Sequence, residues 1–242
     1  MHRESHDNRV DSTRVLHAYL LGRLDFAEML NFQRRLVYDI SGNRSAGALV
    51  CCEHAPIITL GRTASARHVL EQGTIPSQWV GRGGGCLLSV PGQISVYAAI
   101  ALDAAGVNVY QYLERIHLLM RDVLRGFQIA AEIRPRQSGI WVGERLIAHV
   151  GVAVRDWVTS FGCTLNVDPD LRPFRLVQCD GHARPMTSVL REQRMRVRHS
   201  GLRQRIIEEF ARQFDFERTA VFHHHPAISQ KAFPHAVASL TR

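Results

Sequence analysis

The chain has 242 residues, of which 45% are hydrophobic, and this is enough for one large domain with a sizeable core but not for two. The net charge of +8 would suit nucleic acid, but the basic residues are almost all dispersed arginines, with Lys231 the single lysine. We therefore expect no nucleic-acid binding, although an acidic protein partner would be attracted to the same charge. No apolar run reaches the roughly 18 residues that a membrane span needs, so no membrane segment is expected.

The N-terminal segment and the cysteines both indicate the cytoplasm. The first residues are polar, with neither the apolar stretch nor the small-residue cleavage site of a secretory signal. The five cysteines are an odd number without the spacing of a disulfide framework, so we expect reduced thiols. The sequence therefore predicts a cytoplasmic protein.

The first half of the chain predicts a strand, a helix, two strands and a second helix. Residues 14–24 are a strand candidate, and the stretch from Asp25 to Gly42 begins with a capping residue and ends with glycine, as helices do. Residues 46–54 and 56–62 are predicted as buried strands separated by Pro56. Residues 109–127 give the clearest helix, because six apolar side chains share one face: Leu113, Ile116, Met120, Val123, Leu124 and Phe127.

The second half predicts a hairpin, another strand and a last helix. Residues 139–143 and 145–154 are expected to pair around Gly143 and Glu144, and residues 157–167 follow as a strand. Residues 200–214 form a helix with an apolar side chain at every fourth position. Helices interleave with hairpins instead of alternating regularly with strands, which favours an α+β fold over a parallel doubly wound one. We expect one domain at residues 13–217, with loose tails at 1–12 and 218–242.

A glycine-rich segment, Gly81 to Tyr97, is the first candidate for ligand binding. Three consecutive glycines follow Arg82, and a Pro-Gly pair stands at 91 and 92. Glycines let backbone N–H groups approach a ligand closely, because no side chain intervenes. A flexible hairpin is the simpler alternative, and the glycine run alone does not exclude it.

No cofactor and no metal are expected. The glycine segment lacks the Lys-Ser/Thr ending of a phosphate-binding loop and the following helix of a dinucleotide site, which argues against nucleotide cofactors. Three consecutive histidines, His223 to His225, could suggest a metal. Adjacent side chains on an extended chain alternate in direction, however, and no cysteine or carboxylate cluster accompanies them.

Six segments between about Leu21 and Glu192 follow one another in an order that resembles a known family. They are DFAEMLNFQRRLV, EHAPIITLGR, RGG with PGQ, GIWVG with LIAHVGVAV, FGCTLNVDPDL, and QCDG with TSV. Any one of them alone would be weak, whereas six in the same order are hard to obtain by chance. The series is similar to the lipoate-biosynthesis octanoyltransferases, which are built on the biotin/lipoyl ligase scaffold.

The resemblance implies a single α+β domain whose mixed, largely antiparallel sheet packs against helices. It also implies transfer of an octanoyl group from acyl carrier protein onto a cysteine, and from there to a lysine of a lipoyl domain. The acceptors would be lipoyl domains of 2-oxoacid dehydrogenases or the glycine cleavage H protein. Cys179 falls at the position of the nucleophile. The matching positions imply one pocket lined by Arg82, Gly83, Gly84, Gly85, Cys86, Leu87, Leu88, Ser89, His149, Val150, Gly151, Gly162, Cys163 and Thr164.

Two departures from the family pattern bear on the chemistry. Where the family has Thr-Tyr-His-Gly before Pro-Gly-Gln, this chain has Leu87, Leu88, Ser89 and Val90. Where the family strand carries an assisting lysine, in the pattern Lys-Ile-Ala-x-Ile-Gly, this chain has Leu146. The missing cation matters because the thiolate is the nucleophile, and a cysteine with the ordinary pKa of about 8.5 is only slightly ionised at neutral pH.

Four residues are candidates to assist Cys179 in place of the lysine: His149, His182, Arg145 and Arg184. A histidine can also act as a general base, which an always-charged arginine cannot. Leu146 and His149 are three positions apart, which on a regular strand places them on opposite faces of the sheet. We therefore expect His182, three residues after Cys179, to be the catalytic partner.

Two classes of function remain open. Retention of Cys179 favours an acyltransferase related to the octanoyltransferases, with an unchanged or a changed carrier or acceptor. Loss of the lysine and of the Thr-Tyr-His group favours a non-catalytic relative that binds an acyl chain or a carrier protein. An ATP-dependent ligase is disfavoured, because that relative also uses a lysine.

Overall fold

The computed structural model describes residues 13–179, 185–193 and 197–228. Its strands, in chain order, are β1 (Val15–Arg23), β2 (Ala46–Glu53), β3 (Ile57–Leu60), β4 (Ser77–Trp79), β5 (Cys86–Ser89), β6 (Gln93–Ile100), β7 (Glu132–Ile133), β8 (Ile140–Val142), β9 (Arg145–Arg155), β10 (Val158–Asn166) and β11 (Arg218–Phe222). Its helices are α1 (Phe26–Gly42), α2 (Val109–Gly126), α3 (Val189–Gln193) and α4 (His199–Gln213).

Local sequence signals account for where the two long helices near the site begin. The Asp25 carboxylate accepts hydrogen bonds from the N–H groups of Ala27 and Glu28 at 2.9 and 3.1 Å, so α1 starts immediately after it. Asn108 and Gln111 exchange hydrogen bonds between side chain and backbone at the start of α2. None of the helices in the described ranges is both long and apolar enough to cross a membrane.

Eight strands form the central sheet in the order β11-β1-β2-β6-β10-β9-β8-β7. The pairs β11–β1 and β1–β2 are parallel, and the pairs from β2 to β7 are antiparallel. The predicted α+β fold with a mixed, largely antiparallel sheet is confirmed. A second sheet of three strands, β4-β3-β5, lies beside it and carries the glycine segment.

The two faces of the central sheet have separate cores because side chains alternate along each strand. Leu49 and Cys51 of β2 belong to the core beneath α2 and α4, whereas Val50 and Cys52 belong to the core beneath α1. A third cluster fills the space under the small sheet, and Cys179 is one of its members. The candidate site therefore lies where the small sheet meets the α1 side of the central sheet.

The prediction of a loose tail from residue 218 is wrong for β11. This strand pairs in parallel with β1, from Val15 opposite Arg218 to Tyr19 opposite Phe222. The rings of Tyr19 and Phe222 also stack with centroids 5.2 Å apart. The pairing satisfies backbone groups that β1 would otherwise expose at the edge of the sheet. Residues 1–12 and 229–242, including Lys231, lie outside the described ranges.

Candidate active site

A small cavity of about 30 Å³ lies between the central sheet and the glycine segment, and we call it the sheet cavity. Eight of its lining residues are among those that the resemblance implied: Arg82, Leu87, Ser89, His149, Gly151, Gly162, Cys163 and Thr164. Phe26 at the start of α1, Thr59, Val96, Tyr97 and Phe161 complete the lining. Apolar side chains and polar groups thus meet in one concave site.

A smaller cavity of about 10 Å³ adjoins the first, and we call it the cysteine cavity because Cys179 lines it. Leu87, His149 and Thr164 line both cavities. The remaining walls of the cysteine cavity are Gln93, Leu146, Ala148, Asn166, Phe174 and Met186. The three shared residues form a common wall between the two cavities.

Backbone pairing on both sides holds Cys179 in place. A short helical turn, Arg172–Leu176, precedes it, and Val177 and Cys179 then form bridges to Val69 and Cys86. The Gln178 N–H donates to the His68 carbonyl at 2.8 Å. Because bridged residues lie about one strand spacing, roughly 5 Å, apart, Cys179 is adjacent to the glycine segment. Its side chain is only 1% exposed, so a substrate reaches it through a cavity and not at the surface.

The glycine segment serves first to approach the central sheet. Gly83 donates its N–H to the Val152 carbonyl of β9 at 2.8 Å, and a Cβ atom added at Gly151 would lie 2.9 Å from the Gly83 carbonyl oxygen. The carbonyls of Gly84 and Gly85 accept hydrogen bonds from the turn after β3. The glycine segment and β9 can therefore pack backbone against backbone, because no side chain stands between Gly83 and Gly151.

Arg82 fixes the start of that segment from inside. Its side chain is 3% exposed and donates to the Thr59 carbonyl and hydroxyl, both at 2.9 Å, and to the Gly83 carbonyl at 3.0 Å. The guanidinium remains charged at any pH at which the protein is folded. The segment thus places a permanent positive charge at the wall of the sheet cavity.

Six of the implied pocket residues line neither cavity: Gly83, Gly84, Gly85, Cys86, Leu88 and Val150. The Val150 side chain packs into the core beneath α2 and α4, since it alternates with His149 and Gly151 along β9. The Leu88 side chain packs under the small sheet with Ile58 and Phe174. The Cys163 side chain also belongs to the core beneath α2 and α4, and burial raises the pKa of this thiol well above its usual value. Cys163 thus resembles a small apolar residue more than a nucleophile.

A bulge in β9 changes which of its side chains face the cysteine cavity. Ile140 pairs with Ala148 and Trp141 pairs with Leu146, so Ile147 is an extra residue in the ladder. Ile147 and Ala148 both belong to the core on the α2 side, although Ala148 also lines the cysteine cavity, whereas Leu146 lies outside that core and lines the cysteine cavity with His149. The prediction that Leu146 and His149 face opposite sides is therefore wrong.

Leu146 occupies the family's lysine position and is itself part of a wall. Its N–H donates to the Pro185 carbonyl at 2.9 Å, and its carbonyl accepts from the Thr187 N–H at 3.0 Å. The side chain is 2% exposed and faces the same cavity as Cys179. The position at which the resemblance implies an assisting cation is thus apolar here.

The other candidate partners of Cys179 lie apart from it or outside the described ranges. Arg145 forms an ion pair with Glu192, with N–O distances of 2.9 and 3.0 Å to its two carboxylate oxygens, and lines neither cavity. His182 and Arg184 fall in the undescribed stretch 180–184. Among the described residues, His149 is the basic side chain that lines the cysteine cavity.

Sequence reasoning did not single out two polar pairs in the site. Gln93 donates to Asn166 at 2.8 Å and accepts from the Val90 N–H at 2.7 Å, which links the PGQ turn to β10. The Tyr97 hydroxyl and the His54 ring lie 2.8 Å apart, and the other ring nitrogen of His54 contacts the Leu24 carbonyl. Burial lowers the pKa of His54 and raises that of Tyr97. Gln93 is the last residue of the PGQ motif, and His54 and Asn166 lie in two other of the six segments, so the motifs contained these residues without indicating their contacts.

The sequence and the fold both have close counterparts among known proteins. Residues 25–211 match the family described as the lipoyl protein ligase A/B catalytic domain. An octanoyltransferase from Geotalea uraniireducens is 35% identical over 170 residues, which cover 70% of this chain and 79% of the relative. An octanoyltransferase from Solibacter usitatus is 34% identical over 203 residues, which cover 81% of this chain and 92% of the relative.

A solved structure gives the same answer for the fold. The bipartite lipoate protein ligase of an archaeal lipoylation system, from Thermoplasma acidophilum, matches with a TM-score of 0.63 at 16% identity, covering 87% of each chain. These findings confirm the resemblance that the six sequence segments indicated. The chain belongs to the lipoyl protein ligase A/B catalytic domain family, and its relatives within that family are acyltransferases named octanoyltransferase.

Proposed function

We propose that this protein transfers an octanoyl group from acyl carrier protein, through a thioester on Cys179, to a lysine of a lipoyl domain. The observation that carries the proposal is that the cysteine cavity and the sheet cavity share a wall formed by Leu87, His149 and Thr164. A nucleophile and its acyl group must be nearly in contact, and the shared wall supports that arrangement. The names of the curated relatives support the same reaction.

The sheet cavity is the proposed binding site for the acyl chain. Phe26, Leu87, Val96 and Phe161 supply apolar surface there. The buried positive charge of Arg82 at the same wall stabilises the oxygen of the acyl carbonyl as negative charge develops on it. The acyl chain would then lie against the apolar side chains, and its carbonyl oxygen would contact Arg82 in another part of the sheet cavity.

Two thioester steps describe the proposed chemistry. The Cys179 sulfur attacks the donor's carbonyl carbon, a new S–C bond forms, and the bond to the carrier's sulfur breaks, leaving a carrier thiol. The lysine nitrogen of the acceptor then attacks the Cys179 thioester. An N–C amide bond forms, the S–C bond breaks, and Cys179 returns as a thiol. Neither step needs an oxidant, a metal or a nucleotide.

The proposed partners suit the charge of the chain, and the proposed compartment suits its cysteines. The net charge of +8 favours association with acidic proteins, such as a carrier protein or a lipoyl domain of a 2-oxoacid dehydrogenase or the glycine cleavage H protein. The structure holds all five cysteines as thiols, as a reducing cytoplasm requires.

The test is intact-mass analysis after incubation with octanoyl acyl carrier protein. We expect a single octanoyl adduct on the wild-type protein and none on Cys179→Ser, because the adduct is a thioester at that sulfur. Cys51→Ser is the matched control, since Cys51 is also buried and lies in the core beneath α2 and α4. Adding a lipoyl domain should then remove the adduct and increase the mass of the domain by one octanoyl group.

One observation favours a second function, the non-catalytic binding of an acyl chain or a carrier protein. Leu146 places an apolar side chain where the family has its assisting lysine, and Cys179 is buried beside it. Octanoyl acyl carrier protein that binds without forming an adduct on Cys179 would establish this alternative and contradict the transferase.

A further inference from the structure

We propose that His149 activates Cys179 as its general base, replacing the lysine that the family carries at position 146. The inference rests on the proposed function, because it names the group that makes the Cys179 sulfur reactive in that reaction. It differs from the expectation that His182 plays this part.

The placement of His149 comes from the bulge in β9. A regular strand would direct His149 toward the α2 side, away from Leu146. The extra residue Ile147 reverses the phase of the strand, so that His149 lines the cysteine cavity with both Leu146 and Cys179. The His149 imidazole, three positions after Leu146, thus lines the same cavity as the side chain at position 146, where the resemblance implies a lysine in the family.

The burial of His149 beside the two cavities favours a functional role for its side chain. Its side chain is 3% exposed, and it lines both the cysteine cavity and the sheet cavity. A base at this junction lies beside the nucleophile on one side and the acyl carbonyl on the other. Imidazole is also the side chain best suited to exchange protons near neutral pH.

The proton balance of both transfer steps can pass through this ring. Neutral His149 accepts the Cys179 proton as the sulfur attacks the donor, and the imidazolium gives that proton to the departing carrier thiolate. In the second step the ring accepts a proton from the attacking lysine amine and returns it to the Cys179 sulfur as the amide forms. The histidine ends each cycle neutral.

Several charged or titratable groups lie near His149. Arg82, Tyr97 and Cys163 line the sheet cavity with it, and Cys179 lines the cysteine cavity with it. On the α2 side, burial and the neighbouring His149 both lower the pKa of His117.

The test measures alkylation of Cys179 by iodoacetamide against pH, with the modified peptide quantified by mass. We expect His149→Gln to slow alkylation about tenfold at neutral pH and to shift the rate profile to higher pH, because glutamine cannot accept the proton. His17→Gln is the matched control, because His17 lies on β1 and lines neither cavity, and it should keep the wild-type profile. Circular dichroism melting checks that each variant is folded.

A rescue separates activation from a structural effect. In the His149→Gln background, Leu146→Lys places an ammonium in the same cavity, and we expect it to restore about tenfold in alkylation rate, equivalent to one unit of thiol pKa. A residue that only supports the fold would show no such rescue.

Each outcome has a definite meaning. An unchanged rate and profile in His149→Gln, or a loss confined to His182→Gln, would overturn the assignment of His149. The octanoyl adduct on wild-type Cys179 is scored separately. If the adduct forms and His149→Gln alkylates like the wild type, the proposed function stands and this inference fails. If no adduct forms but alkylation depends on His149, the activation stands and the proposed acyl donor is wrong.

Discussion

At the scale of single residues, Gly83 of the glycine segment lies directly against Gly151 of β9. The carbonyl oxygen of Gly83 would lie 2.9 Å from a Cβ atom at position 151, and the Arg82 Cδ atom 3.2 Å from it. Both distances are shorter than a comfortable carbon contact, and the first involves backbone that cannot rotate away. A methyl group at position 151 therefore has to move the segment that bounds the sheet cavity.

We expect Gly151→Ala to reduce octanoyl-adduct formation at least tenfold and to lower the free energy of unfolding by about 1–3 kcal/mol. The reason is displacement of Gly83 and Arg82, with loss of the hydrogen bond from Gly83 to Val152. Adduct yield and urea unfolding measure the two effects. Gly81→Ala is the control, because an added Cβ there meets nothing within 4 Å. A fully active Gly151→Ala variant would contradict the packing described.

The residues of the site differ in how far the sequence could reveal them. Cys179 and the glycine segment carried motif signals, and motifs report residue identity and order directly. The place of His149 could not be predicted, because strand periodicity assumes one side chain per step and a bulge breaks that assumption without a sequence signal of its own. Tyr97 and His54 were missed for a related reason, since their contact joins distant parts of the chain.

At the scale of elements, the long helices and most strands were predictable because each has local signals. Apolar periodicity identified α2 and α4, and the Asp25 cap located the start of α1. The edge strand β11 was not predicted. It is short, it follows a helix near the end of the chain, and its strand partner within the described ranges is β1, about 200 residues earlier, so the pairing that forms it is not a local property.

Deletion of residues 218–242 should therefore destabilise the protein, and deletion of residues 229–242 alone should not. The longer deletion removes β11 and the Tyr19–Phe222 stacking, which leaves the β1 edge unpaired. We expect a loss on the order of 2 kcal/mol in unfolding free energy, together with concentration-dependent aggregation. Thermal melting and size-exclusion chromatography test this. Equal stability of the two truncated proteins would show that β11 adds nothing to the sheet.

At the scale of the whole molecule, buried histidines link stability to pH. Burial lowers the pKa of both His54 and His117 below the ordinary value of about 6.5. Below that pH the unfolded chain binds more protons than the folded one, so stability is complete above it and falls as the pH drops. His54 lies at the contact of α1, β2 and β6, and its protonation therefore acts on the fold as well as on the site.

We expect the urea midpoint to be clearly lower at pH 5.5 than at pH 7.5, a loss on the order of 1 kcal/mol. His54→Gln should be less stable than the wild type at pH 7.5, because it loses the ring contacts, but should lose less on acidification. His224→Gln, at an exposed histidine, is the control and should follow the wild type. An acid sensitivity that His54→Gln leaves unchanged would assign the effect to other groups.

The bulge at Ile147 bears on how the sequences of relatives can diverge at positions 146 and 149. Because the bulge directs positions 146 and 149 into one cavity, a proton-accepting group can leave one position and appear at the other without any change in backbone. The two positions are then alternatives, and loss of lysine at the first does not by itself mark a decayed enzyme. Relatives with an apolar residue at the first position should carry histidine at the second far more often than relatives that keep the lysine.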